Sequence, residues 1–190
     1  MADETTKSSA KQVTAAKPKV GGAISWAPAG TAVPTDATTA LNEAFKSLGY
    51  ISTEGLKNNS TPESVQVKAW GGDTVLSSQT GKTDTFTFAL IEDLYDEVHK
   101  FIHGADNVSG SLATGLVVKV NGKELGAKAL VVDMIMRGNV KKRVVVPYVE
   151  IMTIAEVSYK DDDAVGYQVT VNASPDDAGN THYEYYKSAT

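Results

Sequence analysis

Cysteine is absent from the chain, which removes disulfides, thiolate metal sites and cysteine nucleophiles from consideration. Histidine occurs only three times, and none of the three sits in a hydrolase or metalloenzyme motif. A long apolar run is missing as well. The most apolar stretch, residues 129–157, is broken by Asp133, Arg137, Lys141, Lys142, Arg143 and Glu150, so nothing approaches the ~18 uninterrupted apolar residues of a membrane span. No membrane partner is expected. The first twenty residues lack the apolar core of a secretory signal, which leads to the expectation of a chain folded and kept in cytoplasm. Basic charge is not in excess either. The formal net charge is −5, which argues against a domain that binds nucleic acid by neutralising phosphates.

What is present fits one domain with extensions. At 190 residues and 42% apolar composition the chain can bury a single core. Residues 1–22 are rich in Lys, Ala, Ser and Thr without an aromatic. They offer too little apolar surface to offset ordering, and a flexible N-terminal arm is expected there. Residues 23–190 read as the single β domain. Leu41, Phe45 and Leu48, followed by Gly49, suggest a short helix. Residues 64–70 (SVQVKAW) and 83–90 (TDTFTFAL) alternate apolar and polar as strands do. The connection between them, residues 71–82, exceeds an ordinary hairpin loop and is expected to be an extended loop with a use.

The segment IEDLYDEVHKFIHG predicts the one firm helix, because Ile91, Leu94, Tyr95, Val98 and Ile102 share a stripe. Beyond it the pattern returns to strands. Asn121-Gly122 and Gly138-Asn139 read as hairpin turns. Acidic turns follow at Asp161–Asp163 and Asp176-Asp177, and residues 173–190 form a polar, Tyr-rich C-terminal strand or arm. Seven or eight strands and one helix make a mainly β protein, a sandwich or barrel with one flanking α-helix.

The chemistry-bearing motifs dissolve on inspection. Gly81-Lys82-Thr83 imitates the end of a Walker loop, but Leu76 stands where that loop needs glycine, and a strand follows instead of a helix. His99 and His103 are four apart without the glutamate or third ligand of a zinc site; they read as cationic side chains at a helix C-terminus. The acidic turns lack a calcium loop's spacing. Lys141, Lys142 and Arg143 follow a turn, either as a solvated tip or as rim charges that meet acidic residues of another copy. No catalytic set, metal site or cofactor site emerges, and the chain is not expected to be an enzyme.

The order of pieces is more telling than any one of them. Lys68-Ala69-Trp70-Gly71-Gly72-Asp73, a long connection, TDTFTFAL running into an acidic helix, and later V-V-D-M (131–134) and V-P-Y-V-E (146–150) resemble the major tail proteins, or tail tube subunits, of long-tailed non-contractile bacteriophages. The resemblance covers roughly residues 20–172 and leaves 173–190 unplaced. It implies a phage tail tube-like β fold that assembles into hexameric rings stacked as a tube, a virion structural protein through which DNA passes without specific binding at ejection. It further implies tape-measure, tail chaperone and tail terminator proteins as partners, a place in the virion tail, and host cytoplasm during assembly. Carried onto this chain, Gly71, Gly72, Asp73, Thr74, Val75, Leu76, Gly81 and Lys82 become inter-subunit or inter-ring contacts. Two alternatives stay open at this point: a stand-alone β-sandwich module binding carbohydrate or a cell surface, and the inner tube of a contractile injection machine.

Overall fold

The computed structural model describes residues 9–188. In chain order its strands are β1 (Ala16–Pro18), β2 (Ile24–Pro28), β3 (Lys46–Ser47), β4 (Lys57–Lys68), β5 (Thr74–Leu90), β6 (Val108–Ser109), β7 (Val117–Val118), β8 (Lys128–Met136), β9 (Val140–Ile154), β10 (Tyr167–Ser174) and β11 (Tyr183–Ser188); the helix α1 (Asp96–His103) lies between β5 and β6. One antiparallel sheet runs β3-β2-β8-β9-β10-β5-β4, with β1 added to β8 and β11 added to β9, while β6 and β7 form a separate pair.

The main sheet curls until its edges nearly meet. Leu48 donates its backbone N–H to Ile24 (2.9 Å), and Ser52 donates to Ala89 (2.9 Å). Ile51 also bridges Leu90. Residues 46–52 therefore stitch the β2 edge to the β5 edge and close that end like a barrel. This closed end, where β5 finishes and β8 and β10 begin, is the top. The Gly138-Asn139 turn between β8 and β9 marks the bottom, and Asn139 adopts φ 60° there, a backbone state that asparagine tolerates better than most residues.

Alternation sets the core. Phe86, Phe88 and Leu90 of β5, Val169 and Val171 of β10, Val144 and Val146 of β9, and Ile24 and Trp26 of β2 turn one face inward. Val98, Phe101 and Ile102 of α1 plug that face, with the Trp26 and Phe101 rings edge-to-face at 5.7 Å. The opposite face is covered centrally by residues 29–45. Arg143 anchors this cover: Nη1 donates to the carbonyls of Asp36 (3.1 Å) and Thr39 (2.7 Å), while Nε and Nη2 grip the Asp133 carboxylate at 2.6 and 3.1 Å.

Several sequence expectations give way here. Residues 36–48 form no helix. The Asp36 carboxylate accepts the Thr38 and Thr39 N–H groups, a local turn that competes with helix formation, and β3 pairs with β2. The firm helix starts at Asp96, not Ile91, because Ile91 donates its N–H to Tyr50 and stays with the sheet. Asn121-Gly122 joins no ladder. Asn107 holds that loop instead, accepting Lys119 N–H on its backbone carbonyl and the Asn121 amide on its side chain, both at 2.8 Å. Of the arm expected at 1–22, residues 1–8 lie outside the described residues, and Ala16–Pro18 pairs with Met134–Met136. The C-terminal stretch belongs to the sheet: β11 continues the line of β10 along β9 after residues 175–182 loop out.

Candidate assembly interface

The expected long loop is a strand. β4 and β5 pair from Lys57↔Thr87 out to Lys68↔Thr74, with irregularities at Glu63/Ser64 and Val67/Lys68. Only Ala69 to Asp73 turn. Ala69 N–H donates to the Asp73 carbonyl (2.8 Å) and Gly72 N–H to the Ala69 carbonyl (3.0 Å). Gly71 and Gly72, at φ 134° and 98°, occupy backbone that side chains rarely adopt. Gly71, Gly72 and Asp73 thus form a hairpin tip, whereas Thr74, Val75, Leu76, Gly81 and Lys82 lie in β5. The sequence hid this for a physical reason. The partner strand begins in Lys57–Glu63, a polar run with a proline near its end and no alternation, and it pairs with the β5 backbone without burying its own side chains.

From Thr74 to Thr80 every β5 residue is exposed, and so is the whole of β4. The hairpin is an arm that leaves the body where β10 stops pairing with β5, at Thr85. At about 3.3 Å per residue its free part reaches ~30 Å downward. Val67 lies opposite Leu76, with Val65 on the same face, and Trp70 at the tip is fully exposed. Apolar side chains grouped this way on an otherwise polar ribbon mark a contact surface. Pro62, opposite Lys82 at mid-arm, interrupts the outer edge of β4, a usual way to blunt an edge strand. The other margin of the arm, along β5 below Thr85, and the outer edge of β11 contain no proline.

The arm's root is fixed by a buried carboxylate. Asp84, wholly buried, accepts hydrogen bonds from Asn58 Nδ2 of β4 (2.7 Å) and Thr181 Oγ1 (2.6 Å). His182 Nδ1 lies 2.6 Å away and Lys82 Nζ 3.9 Å away. Burial alone would raise the Asp84 pKa; the Thr181 and Asn58 hydrogen bonds and the His182 charge outweigh it and hold the group below its ordinary value. Sequence reasoning missed this junction, since Thr181 and His182 lie 97 and 98 positions from Asp84. Lys82 therefore serves the arm's root, and no phosphate cradle surrounds it.

The three supposed rim cations separate. Lys141 is exposed. Lys142 bonds Glu184 (2.8 Å) and lies over the Tyr186 ring at 5.0 Å. Arg143 is 4% exposed and belongs to the interior, because Asp133 sits directly opposite it in the β8–β9 register. The two helix histidines depart from expectation too. His99 is buried with Nε2 2.6 Å from the Asp93 carbonyl, and its ring stacks on His103 at 6.1 Å. Desolvation, then the neighbouring His99, lowers the His103 pKa, so it favours the neutral form and is no cation for the helix terminus. Across both rings stands Tyr167, whose phenol is pushed up to about 12 by burial and then by Asp93. Tyr183 and Tyr185 stack at 6.2 Å while Tyr186 points away, leaving no three-ring platform.

No curated protein matches the chain. The family model described as phage tail tube protein matches residues 6–190, including the C-terminal stretch that the sequence left unplaced. An exposed β-arm on a closed β body agrees with a structural role. The chain belongs to the phage tail tube protein family, the structural proteins of the viral tail.

Proposed function

We propose that this chain polymerises as stacked hexameric rings into a tail tube that conducts viral DNA during ejection. The observation that carries the proposal is the arm: about ten residue pairs of ladder, with Val65, Val67 and Leu76 exposed on one face, tied to the body at Asp84 and exposed along β4 and from Thr74 to Thr80 of β5. Ordering such a ribbon is worthwhile only where it is covered. Gly71, Gly72, Asp73, Thr74, Val75 and Leu76 form the contact surface toward the neighbouring ring, with Gly81 and Lys82 at its root side. Lateral closure uses the proline-free margins, β11 of one copy and the β5 side of the arm in the next, since Pro62 interrupts the alternative. Tape-measure, tail chaperone and tail terminator proteins act as partners, and assembly takes place in host cytoplasm. An acidic subunit offers DNA a wall with little attraction for phosphate.

Negative-stain electron microscopy of the concentrated full chain tests this directly. Six-fold rings or hollow tubes are expected. Strict monomers at high concentration, persisting when tail partner proteins are supplied, would overturn it.

A further inference from the structure

The two ends of the body carry opposite charge. At the top, the β9–β10 connection exposes Glu156, Asp161, Asp162 and Asp163 against one cation, Lys160. The segment after β5 adds Glu92 and Asp93 beside it, across a shallow depression whose apolar walls include Ile91, Leu94 and Val165. At the bottom lie Lys17 of β1, Arg137 in the β8–β9 turn, Lys141 at the start of β9 and Lys187 near the end of β11, all exposed. Lys142, in the same region, is already held by Glu184.

One contact makes the bottom more than a solvated rim. Lys141 and Lys187 stand directly opposite each other in the β9–β11 ladder, and like charges so placed destabilise a sheet. Among the described residues Lys187 bonds Thr38 Oγ1 at 3.4 Å, a hydroxyl that donates to the Asp36 carboxylate, and makes no direct ion pair. The monomer thus retains an unfavourable pair that a carboxylate from outside would relieve. The arm leaves the body at Thr85 and runs down toward this same end, with Val65, Val67 and Leu76 exposed on one face.

We infer that the basic end, with its arm, docks on the acidic top of a second copy of this chain, and that this charge pairing fixes one polarity of stacking. The inference rests on the tube reading and names which surfaces meet. Top-to-top contact would oppose Asp161–Asp163 to themselves, and bottom-to-bottom contact would oppose lysines. Like-charge juxtaposition costs several kcal/mol, so only the head-to-tail arrangement survives, and that heterologous contact propagates without closing. Exposed pairs of this kind are screened by salt, with a reach of ~10 Å at 0.1 M and ~3 Å at 1 M.

The test is an exchange of charges, read as pelletable polymer and by electron microscopy. Asp161→Lys/Asp162→Lys/Asp163→Lys makes both ends basic, and Arg137→Glu/Lys141→Glu/Lys187→Glu makes both acidic. Each alone should yield about tenfold less polymer or worse, while the two mixed, or combined in one chain, should recover it. Lys187→Glu alone places a carboxylate opposite Lys141; it should raise the monomer's melting temperature yet weaken assembly, which separates the effect from misfolding. Polymer from every variant at wild-type yield, or loss without recovery on mixing and combination, overturns the charge pairing and leaves the tube intact. Absence of polymer from the unaltered chain in every condition overturns the tube reading itself.

Discussion

β5 is one strand living in two environments. From Asp84 to Leu90 its even-numbered side chains are buried among the sheet and α1, and from Thr85 onward its backbone is paired on both sides, by β4 or residues 50–52 and by β10. From Thr74 to Thr80 the same strand is exposed on both faces and paired on one side only. The upper half is held by burial and is indispensable to the monomer. The lower half contributes almost nothing to the monomer's core, yet it stays paired with β4 out to Thr74 through two irregularities. Secondary structure alone does not distinguish the two; what each half touches does.

The largest contrast comes from substituting apolar residues in each half. Phe88→Ala removes a ring that meets Phe101 in the centre of the core, and a loss of about 3–5 kcal/mol is expected in urea melts. A loss under 1 kcal/mol would mean that the body is not the stable half. Arg143→Met should cost about 3–5 kcal/mol, because it strands the Asp133 carboxylate and the carbonyls of Asp36 and Thr39. Faster proteolysis within residues 29–45 would accompany it, and an unchanged cleavage pattern would show that the clamp is not what holds that cover.

At the junction between the halves the expected effect is intermediate. Asp84→Asn keeps the shape but removes the charge that Asn58, Thr181 and His182 surround, costing about 1–3 kcal/mol. Amide exchange should rise at the arm's root before it rises in β10; uniform exchange would deny Asp84 its local role. A pH titration adds a smaller effect with a definite sign. The His103 pKa is depressed in the fold, so the unfolded chain takes up the proton first. Stability is full above the ordinary histidine value of ~6.5 and declines as pH falls from there toward the folded value. His103→Gln should flatten that slope in melts between pH 7 and pH 5. Asp84 acts in a separate window: its stabilisation is present above the ordinary carboxylate range and is lost only as pH falls through the lowered folded value.

The two halves were unequally legible in the sequence. Buried strands announced themselves, since Phe86, Phe88 and Leu90, like Val169 and Val171, alternate because one face meets the core. Of the arm only Ser64–Lys68 did, alternating although both faces are exposed; Lys57–Glu63 and Thr74–Lys82 do not alternate, and Pro62 and Gly81 lower their apparent strand propensity. The resemblance pointed to residues 71–82 as a contact loop, and the β4 register makes Thr74–Lys82 of that stretch a strand. Arg143 was misplaced on the rim because its neighbours Lys141 and Lys142 suggested a solvated tip. Its partner Asp133 becomes visible only once β8 and β9 are paired.

The smallest effect on the monomer should carry the largest effect on assembly. Shortening the hairpin by joining Ser64 to Gln79 through a two-residue Asn-Gly turn removes Val65, Val67, Trp70, Val75 and Leu76 while leaving the body and the Asp84 junction untouched. The decisive measurement pairs a urea melt with electron microscopy of this one variant. The account predicts monomer stability within about 0.5 kcal/mol of the unaltered chain and no tubes. Tubes of normal length from the shortened chain would contradict it.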